Sequence, residues 1–467
     1  MAVAQQFLSA RSTFNLQIYS NRCRNVRDGR ISSSCSSFLL WRLATQQHVL
    51  QLSTSNKRCQ SWAVNKAGRE RLNVCANLYD GGPGTWSSST STILKAASTG
   101  RKLRMPSAED LARMQLPALA SSFAWEVHPH YEGVKAACDE WIERVAQLPS
   151  ASASRFLRDC LLPRLVCLFI PRAQSRRRLV QAIKIIAWLM IADDDDDHPQ
   201  LLGSDFDSTS HRADRLMAIL THPPSAAFDS IGADPRLSTR CSKQLAALAE
   251  VWQETCTEMS PLVRTRFTST MADYLEGIKM QAALRKNVFV PDVDSYMEIR
   301  HHASFTVPAF IMVEYASGIE LDQETLQNPK VTELCKKAVD YISLCNDVFS
   351  CYKEITIGDF FNLPSILYSC DLPIASSTKP LYTSFQDAVD HVAQLAKDLD
   401  ACCTSLIASL KDDYSKPSID PSSAHQMHAY VDVMALGMSG ALAWFFETPR
   451  YPQPCTQNRS SYIGHCN

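Results

Sequence analysis

Five consecutive aspartates, Asp193 to Asp197, close an apolar, helix-patterned segment, and no other stretch restricts the fold as strongly. In AIKIIAWLMIADDDDDHPQ, the residues Ile183, Ile186, Trp188, Leu189, Met190 and Ile191 predict a helix buried on almost every side. Pro199 predicts its end just past the acids. A helix C-terminus already carries roughly half a negative charge, so each anion there costs about 0.3–1 kcal/mol. Asp193 and Asp197 also repel at i,i+4. Removing Asp193 or Asp194 is therefore expected to leave the metal-free fold unharmed, or even more stable. Such a charge concentration makes sense where cations bind, and hard divalent ions such as magnesium take carboxylate oxygens alongside substrate phosphates. The plain alternative is a solvated acidic turn.

The 467 residues allow up to about three domains. With 45% hydrophobic and 20% charged residues, the chain can bury a sizeable core and is not a disordered protein. A net charge of −1 exerts no bulk pull toward nucleic acid or membrane. The 17 cysteines are scattered, without CxxC pairs or zinc spacing, and read as reduced thiols. No run reaches 18 apolar residues, so no membrane span is expected.

That net charge hides a split. Residues 1–100 hold twelve Lys/Arg against three acids, a charge of +9, while the remainder carries −10. Sixteen serines accompany them, in tracts such as ISSSCSSF. Arg-rich, Ser-rich and acid-poor composition predicts a transit-like leader over residues 1–104, hence a plastid protein. A disordered extension or upstream read-through, with a cytoplasmic location, is the alternative. The leader lacks the periodic apolar faces that pack a core and is expected to be dispensable for folding and chemistry.

Residues 105–467 read as one all-α domain. Ser107 predicts an N-cap for AEDLARM, and Val134, Cys138, Trp141, Ile142 and Val145 recur at helical spacing. Between Asp205 and Arg240, Ser, Asp and Pro predict loops framing a short helix near Leu216–Leu220. Leu245–Arg285, Val331–Ile355, Asp387–Leu410 and His425–Phe446 are expected helices, and Ser365–Ser384 a mixed, loop-like stretch.

A second polar station lies in the helix from Val331. In NDVFSCYKE, Asn346, Ser350 and Glu354 fall at i, i+4 and i+8, on one face. Amide, hydroxyl and carboxylate oxygens are hard donors able to share a magnesium ion. Lys353 would repel a lone metal but suits a metal–phosphate cluster. A solvent-facing polar stripe is the competing reading, weakened by apolar Ile342, Leu344, Val348 and Phe349 around it.

These motifs resemble those of class I terpene synthases, of the microbial type that also occurs in some non-seed plants. NDVFSCYKE fills the family's pattern Asn-Asp-x-x-Ser-x-x-x-Glu, and Asp193, Asp194 and Asp197 fit Asp-Asp-x-x-Asp, with the register blurred by the five-residue run. Arg300 stands where the family places its diphosphate-sensing arginine, about 46 positions before Asn346. Arg450 and Tyr451 match the C-terminal Arg-Tyr pair, and Lys353 the basic residue before the motif glutamate. HPHYEG near His128, DYLEGIKMQAALRKNVFVPDVDSY and GDFFNL add support. Ala303 and Ser304 depart from the acidic linker and small residue that often follow the sensor.

The resemblance spans roughly residues 105–455. It implies the class I terpenoid synthase α-helical bundle with a central active-site cavity. It implies metal ligands Asp193, Asp194, Asp197, Asn346, Ser350 and Glu354, holding three Mg2+ ions, with Mn2+ as substitute. Diphosphate would be bound and sensed by Arg300, Lys353, Arg450 and Tyr451. The implied reaction is ionisation of a prenyl diphosphate and cyclisation or rearrangement of the carbocation to a terpene hydrocarbon or alcohol. Family habit favours farnesyl diphosphate, geranyl diphosphate is the second choice, and a plastid leader would favour ten or twenty carbons. A homodimer is compatible with this reading. Trp188, Phe305, Phe349 and Trp444 are candidate cation-stabilising aromatics, with core packing the competing role for each. A chain-elongating isoprenyl diphosphate synthase would normally carry a second aspartate-rich motif. A class II cyclase has no use for NDVFSCYKE, and a non-catalytic helical binding protein is the bland alternative.

Overall fold

The computed structural model describes residues 103–146, 150–198, 202–221, 234–370 and 382–452. The expectations for the leader and for Pro199 as helix stop lie outside the described residues, as does the side chain of Asp197. Among the described residues there are helices and no strands.

In chain order the helices are α1 (Ala108–Arg113), α2 (Tyr131–Ala146), α3 (Ser150–Cys160), α4 (Leu162–Phe169), α5 (Arg176–Asp197), α6 (Phe206–Thr221), α7 (Thr239–Cys256) and α8 (Pro261–Asn287). They continue with α9 (Val293–Ala303), α10 (Thr306–Ser317), α11 (Gln323–Leu326), α12 (Pro329–Ile357), α13 (Leu363–Cys370), α14 (Phe385–Asp413) and α15 (Pro421–Glu447). This is an all-α bundle, as the motifs imply.

Two helices run through its middle. In α5, Ile183, Ile186, Trp188, Leu189, Met190 and Ile191 are all at most 4% exposed, because α2, α4, α7 and α10 pack around them. Each such side chain contributes about 1.5–3 kcal/mol when fully buried. The Trp188 indole N–H donates to the Gln244 carbonyl at 2.7 Å, which satisfies its one polar atom in the core. Helix α12 lies against α9, α14 and α15. Helix α15 is long and apolar enough to cross a bilayer, yet 72% of its most apolar stretch is buried inside the bundle, where it meets α4 and α12.

Close backbone approaches set the walls of the centre. A Cβ on Gly440 would come within 2.1 Å of the Leu168 carbonyl oxygen, so α15 and α4 touch nearly backbone to backbone. A Cβ on Gly277 would stand 2.5 Å from the Ala303 nitrogen. Helix α8 thus presses directly on the end of α9, where the chain breaks at Ser304–Phe305 before α10 resumes.

Some local expectations need correction. Helix α6 begins at Phe206, well before the short segment expected near Leu216. Its Asp205 accepts from the Ser208 hydroxyl at 2.7 Å, so Ser and Asp act here as helix-starting groups rather than loop formers. The Leu245–Arg285 stretch is two helices, parted by the turn before Ser260, which caps α8. The start of the Ser365–Ser384 stretch, expected to be mixed and loop-like, belongs to helix α13, Leu363–Cys370. Ser107 does cap α1, in a reciprocal capping box with Asp110.

Candidate active site

Successive residues on a helix point about 100° apart, so five aspartates cannot share a face. Asp195 and Asp196, 8% and 2% exposed, turn into the bundle. Asp195 meets Arg240 of α7 at 2.9 Å, and Asp196 meets the buried Arg212 of α6. Burial pushes the Asp195 carboxyl pKa up, although Arg240 and Arg212 oppose it. Arg212 also donates to the Ala192 carbonyl at 3.2 Å. Arg285 of α8 reaches the Asp196 carbonyl at 3.4 Å while gripping Asp359 at 3.0 and 2.9 Å. Arg285 therefore caps a carbonyl left open at the end of α5, and both arginines offset its negative pole.

Asp194 points elsewhere. Its carboxylate takes both guanidinium nitrogens of Arg450, at 2.8 and 2.6 Å, and the Lys353 ammonium at 3.1 Å. Burial alone would raise its pKa, but Arg450 and Lys353 outweigh it and hold the carboxyl well below the ordinary value. These pairings run against the expectation that Asp194 could be removed without cost to the metal-free fold. Asp193 faces the central cavity.

Asn346, Ser350 and Glu354 lie on the unbroken helix α12. The Asn346 amide oxygen accepts from Arg300 at 2.8 Å, and its NH2 donates to the Tyr451 hydroxyl at 3.0 Å. Glu354 accepts from Asn362 at 2.8 Å. Ser350 is 2% exposed, and its hydroxyl has no hydrogen-bond partner. Burying a hydroxyl without a partner costs about 1–3 kcal/mol. This orphaned oxygen, midway between an amide oxygen with a second lone pair and a carboxylate, fits a hard divalent cation.

The basic residues expected to grip diphosphate join the two stations. Arg300 binds Asn346, Arg450 binds Asp194, and the Arg450 side chain donates to Tyr451 at 3.3 Å. Tyr451 thus links Arg450 to Asn346. Arg300 is aimed by a group that sequence reasoning left without a role. Asp347, 1% exposed, accepts from Arg300 at 3.0 Å, from the Tyr296 hydroxyl at 2.5 Å and from the Leu363 amide at 3.0 Å. Burial raises its pKa despite Arg300. Its place inside the Asn-Asp-x-x-Ser motif was the available signal. Among the described residues no three His, Cys, Asp or Glu side chains gather as a metal cluster.

Beside this polar mouth lies an open-ended cavity with about 730 Å³ of empty space, the solvent at its mouth included. Leu165, Phe169, Ile186, Met190 and Ala309 supply apolar wall, and Asp193, Arg300, Asn346 and Tyr451 the polar end. Of the four candidate aromatics, Phe305 and Trp444 line it. Trp188 is tied to Gln244, and Phe349 stacks on Phe445 at 5.3 Å and meets Phe446 edge-on at 5.0 Å. Phe169 and Phe445, which sequence reasoning missed, also line the cavity; nothing local in the sequence marks them.

Residues 184–401 match the family model described as "Terpene synthase family 2, C-terminal metal binding". The chain is 24% identical over 343 residues to (3S,6E)-nerolidol synthase of Selaginella moellendorffii, covering 73% of this chain and 84% of that protein. It is 25% identical over 348 residues to sesquiterpene synthase 3 of Postia placenta, covering 74% and 86%. Its fold is similar to that of germacradien-4-ol synthase from Streptomyces citricolor, with a TM-score of 0.56, 22% identity, and coverage of 72% of this chain and 99% of that one.

Proposed function

We propose that this chain, a class I terpene synthase, ionises farnesyl diphosphate in the cavity beside α5 and α12 and cyclises or rearranges the resulting carbocation. Geranyl diphosphate is the second candidate substrate. The observation that carries the reading is convergence: Arg300, Lys353, Arg450 and Tyr451 meet between the acidic end of α5 and the oxygen-bearing face of α12, at the mouth of an apolar cavity.

Asp193, Asp194 and Asp197 would hold metal from one side, and Asn346, Ser350 and Glu354 from the other. When bound, divalent ions (three magnesium ions on this reading, with manganese as substitute) supply the positive charge that stabilises departing diphosphate. The chain's own donors act on the same oxygens. Arg450 and Lys353 are kept charged and in place by Asp194, and Arg300 by Asp347, so little reorganisation is needed when charge develops. The apolar wall excludes bulk water from the cation, and the faces of Phe305, Phe169 and Trp444 border its path.

Chain elongation is the second reading, and the Asn/Ser/Glu station in place of a second aspartate cluster disfavours it. The leader composition supports plastid import, with a cytoplasmic location as the alternative. The deciding experiment incubates the protein with geranyl, farnesyl and geranylgeranyl diphosphates, with and without magnesium and isopentenyl diphosphate. Metal-dependent release of diphosphate with volatile terpene product is expected. Longer prenyl diphosphates formed only with isopentenyl diphosphate would establish the second reading, and no metal-dependent release from any substrate would overturn both.

A further inference from the structure

Three hydroxyls on the cavity wall are left over once the metal and diphosphate residues are assigned. Ser343, Ser304 and Thr306 all line the cavity. Ser343 is 1% exposed, and its hydroxyl has no hydrogen-bond partner. A helical serine can satisfy itself by bonding back to the carbonyl four residues earlier; this one does not. Ser304 and Thr306 share a 2.6 Å hydroxyl–hydroxyl bond, and Ser304 also accepts the Thr306 amide at 3.3 Å. One hydroxyl of that pair donates to the other, which keeps its own proton for a further acceptor. The pair sits at the break between α9 and α10, and Ser343 lies one turn before Asn346 on α12, which packs against both helices.

We propose that Ser343 and the Ser304–Thr306 pair hold one water molecule in the cavity and deliver it to the carbocation, so that the principal product is a terpene alcohol. A buried water needs about two to four polar partners, and an orphaned serine and a hydroxyl pair on the wall of the same cavity supply them. The proposal rests on the prenyl diphosphate reading above and specifies how its cation is quenched. Ionisation breaks the bond between carbon and the diphosphate oxygen, and the electron pair leaves with diphosphate. The water oxygen then forms the new carbon–oxygen bond, and the resulting oxonium gives its extra proton to the released diphosphate. The sum is prenyl diphosphate plus water giving alcohol plus diphosphate. Ser343 acts here as a positioning residue: it touches the water, and the wall around it remains apolar enough to exclude the bulk solvent that would quench indiscriminately.

The test is turnover of farnesyl and geranyl diphosphates in 18O-labelled water with magnesium, reading diphosphate released and the labelled volatile products together. Wild type should give mainly alcohol carrying the label. Ser343→Ala should lower alcohol per diphosphate released by roughly tenfold, the change that follows a partition barrier moved by about 1.4 kcal/mol, with hydrocarbon rising to match. Ser343→Thr, which keeps the hydroxyl, should remain alcohol-forming, and it serves as the folded comparison if the alanine variant is poorly soluble. Hydrocarbon alone from wild type, or an unchanged alcohol share in Ser343→Ala, would overturn the water station while leaving the synthase reading intact. No diphosphate release at all would instead strike at the reading beneath it.

Discussion

The last turn of α5 and the polar face of α12 both carry oxygen donors, but they are satisfied in opposite ways. At α5, Asp194, Asp195 and Asp196 are each held by cations from other segments: Arg450 with Lys353, Arg240, and Arg212. On α12 the three donors share a single carboxylate, and the middle one, Ser350, is buried without a partner. Charge density therefore says less about where metal belongs than the pairing of each group does. Part of the acidic run is architecture that fastens α5 to α6 and α7. The understated stripe on α12 keeps oxygen lone pairs in reserve.

Melting of the metal-free protein separates the two roles, with the largest effect at Asp196. Asp196→Ala would strand Arg212, itself 5% exposed, at the end of α5. Breaking a buried pair from one side costs about 3–5 kcal/mol, so thermal or urea unfolding should show a loss of that size. A change under about 1 kcal/mol would mean that Arg212 finds other partners and that α5 is not fastened through its acids.

A smaller loss, about 1–3 kcal/mol, is expected for Asp194→Asn, which gives up charged hydrogen bonds to Arg450 and Lys353 on a side chain still 29% exposed. Its pH dependence has a definite sign. The folded-state pKa of Asp194 is depressed, so its contribution is complete above the ordinary carboxyl range near pH 4 and is lost as pH falls toward the folded value. The stability gap between wild type and Asp194→Asn should be constant at neutral pH and close progressively below about pH 4. A gap that persists unchanged in strong acid would show that the pairing is not electrostatic.

The contrast also explains which features were legible in the sequence. Asn346, Ser350 and Glu354 belong to one helix, so their shared face follows from spacing alone, as does the burial of Ile183 to Ile191 in α5. The division of the aspartate run was not legible. It depends on Arg212, Arg240, Arg285 and Arg450, which arrive from four different segments and carry no local mark of their partner. Asp347 was visible inside its motif, but its role in aiming Arg300 depends on Tyr296 and the Leu363 amide brought in by folding. Helix α6 was hidden for a simpler reason, because Asp205 and Ser208 look the same in a loop and at a helix start.

The central claim is that the α12 face is a metal station, and Glu354→Gln tests it most directly. The substitution keeps size and a carbonyl acceptor for Asn362, so metal-free melting should shift least here, by less than about 1 kcal/mol. It removes the only formal charge among the three α12 donors. Steady-state turnover of farnesyl and geranyl diphosphates should fall by about 10²-fold or more, corresponding to roughly 2.7 kcal/mol or more of lost transition-state stabilisation. Part of the loss should return at high magnesium, because weakened metal affinity yields to mass action. Wild-type rates for Glu354→Gln at every magnesium concentration would contradict the assignment of this helix as the second metal station.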